Sequence, residues 1–273
     1  MKKPITPINS TQNPRIKALV RLRNARGRDS AGLVLIEGTK ELSRALESGI
    51  LIEEIYYRKS DDFIDLIESL MNRQECSATE FFEVNTTAFE KISYRAGSSG
   101  IIAVAERPER SLKDIPSDGN PLYIVMDGIE KPGNLGAVLR SADGAGVTGV
   151  IASDERADPY NPNVIRASLG TIFTVPTVVT TAGEAIHWLR SKGVRIVVTT
   201  PAADTLYTDA DMTGPAAIVV GSEDRGARRE WLEAADLQVR IPMLGAADSL
   251  NVAQSATIIV YEALRQRSAV GGS

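Results

Sequence analysis

Residues 239–267, VRIPMLGAADSLNVAQSATIIVYEALRQR, decide the fold, because they join a strand, a loop of small residues and a long helix. The apolar run that ends at Pro242 is typical of a strand. From Leu250 apolar residues recur with the period of an amphipathic helix, and Ser249 stands where a helix N-cap is preferred. Asn251 is a poor helix former in that first turn. The stretch therefore predicts either the last strand and helix of an α/β domain alone, or also a polar site for an anion or cofactor at the helix N-terminus.

The composition is that of a globular chain, with 273 residues, 43% hydrophobic and 24% charged. No apolar run is long enough to span a bilayer, and residues 1–10 lack the apolar core of a signal peptide. The single cysteine, Cys76, allows no internal disulfide and favours a reducing compartment. With that cysteine and one histidine, His187, a zinc site is not expected. We expect a cytoplasmic protein that binds neither a membrane nor a metal.

The basic residues are distributed unevenly along the chain, whose net charge is −4. Residues 1–28 carry eight Lys and Arg and no acidic residue, which leaves 23 basic against 35 acidic residues elsewhere. Such a basic arm is either a solvated segment or a contact for a phosphate backbone, and its one-sided charge favours the second. The candidate phosphate contacts of the arm are Arg15, Lys17, Arg21, Arg23, Arg26 and Arg28.

The pattern of elements predicts two α/β domains. Residues 1–106 alternate short strands and helices, beginning with a basic amphipathic helix over 12–28. Residues 107–120 are polar and rich in helix breakers, which is typical of a linker. Residues 121–273 begin with a continuously apolar strand and predict a mostly parallel sheet, with a polar loop over 154–166. Ligand sites are expected at the carboxyl ends of such strands.

A glycine pattern over residues 144–149 matches the G-x-G-x-x-G fingerprint of dinucleotide-binding enzymes. The context is the reverse of the required one, because this pattern closes a predicted helix and opens a strand. No acidic residue lies about 20 positions beyond it to bind a ribose. A nicotinamide enzyme is therefore rejected.

Polar residues follow two other predicted strands. In KPGNLGAVLR, Asn134 sits at a helix start and Arg140 lies two turns along, where its guanidinium could hold a phosphate by two parallel hydrogen bonds. In VVGSEDRG, a strand runs into a glycine turn that carries Glu223, which could anchor a hydroxyl or an ammonium group. Arg156 and Arg166 are further candidate phosphate contacts. Each stretch alone is also explained by an ordinary helix or loop.

Together, the three stretches resemble the SpoU (TrmH-type) family of RNA ribose 2′-O-methyltransferases. The family motifs N-x-G-x-x-x-R, G-[SP]-E-x-x-G and I-P-M…S-L-N-V are matched here, in order and with similar spacing, by Asn134, Gly136 and Arg140, by Gly221, Glu223 and Gly226, and by residues 241–243 and 249–252. The match runs over about residues 122–267. The N-terminal part looks like the ribosomal-L30e-like RNA-binding domain of the ribosomal-RNA branch. The chain departs from the family at Ala253, where a serine is common, and we expect the change to affect local packing more than chemistry.

The resemblance implies a SPOUT-type α/β domain with a C-terminal deep trefoil knot, preceded by a small L30e-like α/β domain that binds RNA. It implies S-adenosylmethionine as cofactor, RNA as substrate with 23S ribosomal RNA favoured, and a homodimer whose site borrows residues across the interface. The implied catalytic residues are Arg140, Asn134, Glu223, Ser249 and Asn251. The implied cofactor-binding residues are Thr199, Gly221, Ile241, Met243, Leu250 and Asn251. The implied RNA contacts are the basic residues of the arm and Arg166.

Three other functions stay open at this point. One is a transfer-RNA enzyme of the same family, which the N-terminal domain disfavours. Another is a ribosomal-RNA methylase that confers antibiotic resistance, and the third is a non-catalytic RNA-binding module that keeps the fold. The basic arm makes a separate prediction: deleting residues 1–28 should weaken RNA binding and flatten its salt dependence.

Overall fold

The computed structural model describes residues 3–60, 63–94, 100–129, 131–153 and 157–271. Contacts divide the chain into two compact units, unit 1 with Met1–Glu109 and Tyr160–Thr174, and unit 2 with Arg110–Pro159 and Val175–Ser273. The segment Tyr160–Thr174 lies within the second predicted domain but belongs by its contacts to unit 1. None of the described helices is both long and apolar enough to cross a membrane.

The strands are β1 Ile5–Ile8, β2 Leu33–Glu37, β3 Ile52–Arg58, β4 Glu80–Val84, β5 Ile101–Glu106, β6 Leu122–Asp127, β7 Gly149–Ala152, β8 Thr177–Val179, β9 Arg195–Thr199, β10 Thr205–Leu206, β11 Ala216–Gly221 and β12 Leu237–Arg240. The helices are α1 Pro14–Leu22, α2 Ala25–Ala31, α3 Thr39–Glu47, α4 Ile64–Asn72, α5 Thr86–Ile92, α6 Pro132–Gly144, α7 Pro162–Ala167, α8 Thr171–Thr174, α9 Ala182–Ser191, α10 Arg229–Ala234 and α11 Val252–Gly271.

Unit 1 is built around a mixed sheet with the strand order β1-β4-β3-β5-β2. The strands β1, β4 and β3 run parallel, and β5 pairs antiparallel with both β3 and β2. The expected basic arm is part of this fold rather than a free segment, because β1 pairs with β4 and the apolar face of α1 is buried in the core with Phe82 and Val84. Deleting residues 1–28 would remove β1 and the buried face of α1 from that core, so the deletion cannot isolate an electrostatic effect.

The single helix predicted over 12–28 is two helices. α1 ends at Leu22 and α2 begins at Ala25. A Cβ at Gly27 would lie 2.1 Å from the carbonyl oxygen of Arg21, so the two helices approach too closely at this point for any side chain. The break therefore depends on a contact that helical periodicity does not show.

Unit 2 contains a seven-stranded sheet with the order β10-β12-β9-β11-β6-β7-β8. Its six strand pairs among the described residues are all parallel, whereas the sequence predicted a mostly parallel sheet. The interior strand β6 is buried along its whole length, which explains why its sequence is apolar as far as Asp127 at its end. Part of the predicted linker is folded onto this unit, because a capping box at Ser111 and Asp114 leads into Ile115, which is buried in its core.

The polar loop predicted over 154–166 is helical in its second half. Pro162 occupies the first turn of α7, and the side chain of Asn161 accepts a hydrogen bond from the backbone N–H of Asn163 at 2.9 Å. Arg156 lies outside the described residues. The rejected glycine fingerprint is structural, because Gly144 ends α6, Gly146 has a φ of +63° and Gly149 opens β7.

The C-terminal helix α11 is anchored near its end by the half-buried guanidinium of Arg267. This group donates to the carbonyl oxygens of Met212 at 3.0 Å, Asn120 at 2.8 Å, Pro121 at 3.2 Å and Gly214 at 2.5 Å. Burial lowers the pKa of Arg267, but an arginine stays charged at neutral pH. One side chain therefore ties the last helix to the segments before β6 and β11.

Replacing Arg267 with methionine is expected to lower the free energy of unfolding of unit 2 by about 2–4 kcal/mol, because several carbonyls lose a charged donor. Both tryptophans, Trp188 and Trp231, belong to unit 2, so tryptophan fluorescence during urea unfolding reports on this unit. Arg265→Met is the matched control, since Arg265 is exposed and pairs with Glu262 on its own helix. Equal midpoints for the two variants would show that the carbonyl contacts of Arg267 contribute little.

Candidate functional site

A cavity of about 430 Å³ lies at the carboxyl ends of β9, β11 and β12 in unit 2. This volume is within the range of small-molecule sites. Five of the six residues predicted to bind the cofactor line it, namely Thr199, Gly221, Ile241, Met243 and Leu250. The sixth, Asn251, is not among the lining residues but donates a hydrogen bond to Glu223, which is. The structure thus brings the predicted cofactor residues together around one cavity.

The wall of this cavity at the end of β11 is a tight turn that requires glycine. Ser222 and Gly226 exchange backbone hydrogen bonds of 3.1 Å and 2.9 Å, and Gly226 has a φ of +67°. A Cβ at Gly221 would lie 1.9 Å from the backbone nitrogen of Ala227. A side chain at Gly221 is therefore incompatible with this backbone.

Glu223, at the tip of that turn, is the point where the three predicted stretches meet. Its carboxylate forms an ion pair with Lys131 and accepts hydrogen bonds from the side-chain amides of Asn134 at 2.9 Å and Asn251 at 2.8 Å. The amide of Asn251 also donates to the side-chain oxygen of Asn134 at 3.1 Å. The hydrogen bond from Lys131 is the main cause that lowers the pKa of Glu223, followed by that from Asn134. Glu223 is therefore a carboxylate at neutral pH, held by donors from two separate segments.

Asn251 caps the terminal helix, and the expected cap at Ser249 is wrong. α11 begins at Val252, and the side-chain oxygen of Asn251 accepts a hydrogen bond from the backbone N–H of Ala253 at 2.9 Å. This position explains why a poor helix former stands there, since Asn251 precedes the helix rather than occupying its first turn. Ser249 is exposed and lines the 430 Å³ cavity instead.

Arg140 is not brought to this cluster within one chain. It is exposed on α6, does not line the cavity, and its side chain has no hydrogen bond or ion pair with any residue in the described part of the chain. Asn134 lies six positions earlier on the same helix, so the two side chains are rotated by about 240° around the helix axis. The spacing of the motif thus directs Arg140 away from the network that contains Asn134.

A second cavity of about 340 Å³ adjoins the first, with Glu223 in the lining of both. It contains a residue that the sequence analysis missed, Asp127, which is fully buried at the carboxyl end of β6. Asp127 accepts hydrogen bonds from the backbone and side-chain nitrogens of Arg228, each at 2.7 Å, and from the hydroxyl of Ser153 at 3.0 Å. These contacts fix the chain directly after the Glu223 turn. A polar residue at the end of an apolar parallel strand was the signal that could have identified it.

The basic residues of the N-terminal helices differ in their environments. Lys17, Arg21 and Arg26 are exposed, and among the described residues their side chains have no ionic or hydrogen-bonding partner. Arg15 lies over the ring of Phe82 at 4.4 Å and pairs with two glutamates, so its charge is already neutralised. The expectation that Arg28 contacts a phosphate is wrong, because Arg28 is 1% exposed and donates to the carbonyl of Leu22 at 2.8 Å.

Two further cations of unit 1 lie partly exposed beside polar side chains. The guanidinium of Arg23 lies over the ring of Tyr94 at 5.1 Å. Arg166, on α7, donates to the side-chain oxygen of Asn163 at 3.2 Å.

His187 is exposed on α9, as expected for a surface residue.

Known protein families match both the N-terminal and the C-terminal part of the chain. The model of the SpoU rRNA Methylase family matches residues 121–261, and the model of the MRM3-like substrate binding domain matches residues 13–103. A 23S rRNA (uridine(2479)-2′-O)-methyltransferase from Streptomyces viridochromogenes is 33% identical over 261 residues, which cover 92% of this chain and 88% of that protein.

Two solved structures are similar over nearly the whole length. A crystal structure of an RNA 2′-O ribose methyltransferase has a TM-score of 0.82 at 43% identity, covering 96% of this chain and all of that chain (100%). The structure of an AdoMet-bound rRNA methyltransferase from Sinorhizobium meliloti has a TM-score of 0.87 at 29% identity, covering 96% of this chain and 98% of that one.

Proposed function

Because this chain belongs to the SpoU rRNA Methylase family, we propose that it is an enzyme that transfers the methyl group of S-adenosylmethionine to a ribose 2′-hydroxyl of RNA. The observation that carries the proposal is the meeting of Asn134, Glu223 and Asn251 at the edge of a cavity of suitable size. The substrate that we favour is 23S ribosomal RNA, for which the Streptomyces relative is named. A non-catalytic module has no need for this network to be intact.

The residues around the larger cavity fit an adenosyl group and its sulfonium. Ile241, Met243 and Leu250 offer apolar side chains for a base. The hydroxyl of Ser249 is available to polar groups, whereas that of Thr199 donates to the carbonyl of Val219 at 3.0 Å and offers them only an acceptor. The cofactor supplies an electrophilic methyl group when it is bound. The carboxylate of Glu223 lines the same cavity, where its oxygens are hydrogen-bond acceptors and its charge is balanced by Lys131.

The residues of the chain act mainly by position. Asn134, Glu223 and Asn251 form a closed set of hydrogen bonds before any substrate arrives, so little reorganisation is needed at the moment of reaction. The 2′-hydroxyl must lose a proton as its oxygen attacks. A guanidinium is always protonated and cannot itself accept that proton. We therefore propose that Arg140 orients the hydroxyl and an adjacent RNA phosphate. The phosphate then accepts the proton of the hydroxyl.

The position of Arg140 supports a homodimer. Helical spacing turns its side chain away from Asn134 on its own chain, and we propose that it serves the site of a second copy. Two large apolar side chains of unit 2 support such an interface, because Leu244 is 99% exposed and Tyr261, on α11, is 46% exposed. Light scattering of the purified protein tests the proposal, with a dimer mass expected and a monomer at assay concentration counting against it.

We also propose the two-domain division, the C-terminal knot and the cytoplasmic location that the sequence predicts. The separation into an N-terminal RNA-binding domain and a C-terminal catalytic domain is supported by the two family models. The deep knot is supported by family membership and by α11, which packs against α6 and β11 although it follows β12 in the chain. A cytoplasmic location fits a ribosomal-RNA substrate.

The decisive experiment is a methyl-transfer assay with methyl-labelled S-adenosylmethionine and 23S ribosomal RNA, with transfer RNA in a parallel reaction. A 2′-O-methyl group blocks alkaline cleavage of the adjacent phosphodiester, so a resistant labelled dinucleotide is expected from the ribosomal RNA. Label on a base, or on no RNA at all, would contradict the proposed reaction. Label on transfer RNA alone would change the substrate but not the chemistry.

A further inference from the structure

Unit 1 carries a row of four planar side chains that no predicted site includes as a whole. The guanidinium of Arg23 lies over the ring of Tyr94 at 5.1 Å. The hydroxyl of Tyr94 accepts a hydrogen bond from the side-chain amide of Asn163 at 3.0 Å, and the oxygen of that amide accepts from Arg166 at 3.2 Å. We call Arg23, Tyr94, Asn163 and Arg166 the planar row. All four side chains are partly exposed.

The planar row is assembled from three distant parts of the sequence. Arg23 follows α1, Tyr94 follows α5, and the other two residues come from α7 in the segment Tyr160–Thr174, which belongs to unit 1. Further hydrogen bonds hold both members of the Arg23–Tyr94 pair. The N–H of Tyr94 donates to the carboxylate of Glu37 at 2.9 Å, and the guanidinium of Arg23 donates to the carbonyl of Lys91 at 3.4 Å. The row is therefore a feature of the folded unit rather than a chance encounter of long side chains.

The chemistry of the row is that of proteins that bind unpaired nucleotides. Bases splayed out of single-stranded RNA stack on aromatic rings and on guanidinium planes, and their edges are read by side-chain amides. The amide of Asn163 still has one N–H and one oxygen lone pair for a base edge after its two contacts in the row. The charge is favourable, because Lys17, Arg21 and Arg26 on the same two N-terminal helices are exposed cations.

Two carboxylates near the planar row, those of Glu37 and Glu41, are hydrogen-bonded or buried and do not repel an RNA strand. Glu37 accepts hydrogen bonds from the backbone of Tyr94 and from the hydroxyl of Ser93 at 2.8 Å. Glu41 is 7% exposed, and its burial raises the pKa of its carboxyl above the usual value.

We propose that the planar row is a binding site for an unpaired nucleotide of the RNA substrate, with the base stacked on the Arg23–Tyr94 pair and its edge contacted by Asn163. The inference rests on the proposed function, because it names how the RNA substrate is held outside the catalytic network. The exposed cations of α1 and α2 hold the phosphates, and the planar row holds a base. Stacking distinguishes unpaired from paired nucleotides, since a base within a duplex cannot lie on the ring.

The test measures binding of a fluorescein-labelled single-stranded RNA and of its duplex to the full-length protein over a series of salt concentrations. Tyr94→Ala is expected to weaken single-strand binding by about 5- to 100-fold, without changing the slope of log Kd against log salt. Tyr94→Phe keeps the ring and should bind like the unaltered protein. Lys17→Gln should reduce the slope by about 0.7 on the single strand, because one phosphate contact is lost. Lys59→Gln, which removes a lysine paired with Glu83 in the same unit, is the charge control.

Each result decides the proposal. Wild-type affinity for the single strand in both Tyr94→Ala and Tyr94→Leu overturns it, and the leucine variant keeps the apolar bulk if the alanine variant does not fold. An equal loss in Tyr94→Phe and Tyr94→Ala assigns the effect to the hydroxyl and overturns stacking. An equal loss of affinity for duplex and single-stranded RNA in Tyr94→Ala also overturns stacking. Binding is measured without S-adenosylmethionine, so absence of methyl transfer by the unaltered protein would refute the proposed function and leave these outcomes interpretable.

Discussion

Replacing Arg140 with alanine should lower kcat for methyl transfer by about 100-fold or more, the effect typical of removing one charged donor that acts in the transition state. The Kd for S-adenosylmethionine should not change, because Arg140 does not line the cavity proposed for it. The stability should not change either, since the side chain is exposed and has no ionic or hydrogen-bonding partner among the described residues. Calorimetric titration with the cofactor and a single-turnover assay separate the two steps. Undiminished turnover would refute the role of Arg140.

The same residue allows a test of whether the site is shared between two chains. Arg140→Ala and Glu223→Gln homodimers should both be nearly inactive, since each lacks one part of every site. In a mixture that is unfolded and refolded together, random pairing makes half of the dimers mixed, and each mixed dimer keeps one complete site. About one quarter of the wild-type activity should then return. No recovery in a mixture shown to exchange subunits would mean that both residues serve one chain.

Replacing Gly221 with alanine should abolish measurable cofactor binding and lower the free energy of unfolding of unit 2 by about 1–3 kcal/mol. The added Cβ would lie 1.9 Å from the backbone nitrogen of Ala227 and 2.0 Å from the carbonyl carbon of Gly226. Both neighbours are backbone atoms, so relief requires the whole turn that carries Glu223 to move. The turn forms part of both cavities, and its displacement also breaks the hydrogen bonds to Asn134 and Asn251.

Gly183→Ala is the matched control for that substitution. A Cβ at Gly183 meets no atom within 4 Å, and the residue lies in α9, where alanine is the better helix former. We expect this variant to bind S-adenosylmethionine normally and to be as stable as the unaltered protein or slightly more so. Calorimetric titration and tryptophan fluorescence apply to both variants. A normal Kd in Gly221→Ala would show that the turn is not part of the cofactor site.

The sequence predicted most of the elements because their signals are local. The strand β6 is the continuously apolar strand expected at the start of the second domain, since an unbroken apolar run suffices to define it. The strands β1 and β10 have only four and two residues, which are too few for an apolar pattern to predict them. The helix α7 was hidden among polar residues, where its asparagine cap and proline start were read as loop signals.

The site was predicted in part for a similar reason. Motif spacing identified Asn134, Glu223 and Asn251, which the fold brings into contact. It could not show that Asp127 and Arg228 meet, because 101 positions separate them and neither belongs to a motif. Charge counting treated every arginine alike, whereas Arg28 is buried where α2 meets the end of α1. Such differences depend on packing between elements, which composition and periodicity do not contain.

The division of unit 1 into two pieces of sequence affects how the protein can be made. On the ribosome, the first 109 residues emerge without α7 and α8, although α7 packs against β2 and α8 against α3 in the finished fold. Unit 1 is completed only after β6, α6 and β7 of the other unit have been synthesised. A recombinant fragment that stops between the two predicted domains would leave β2 and α3 uncovered on those faces and expose apolar surface. Truncation for expression should therefore append residues 160–174 through a short synthetic connection rather than end the chain after β5.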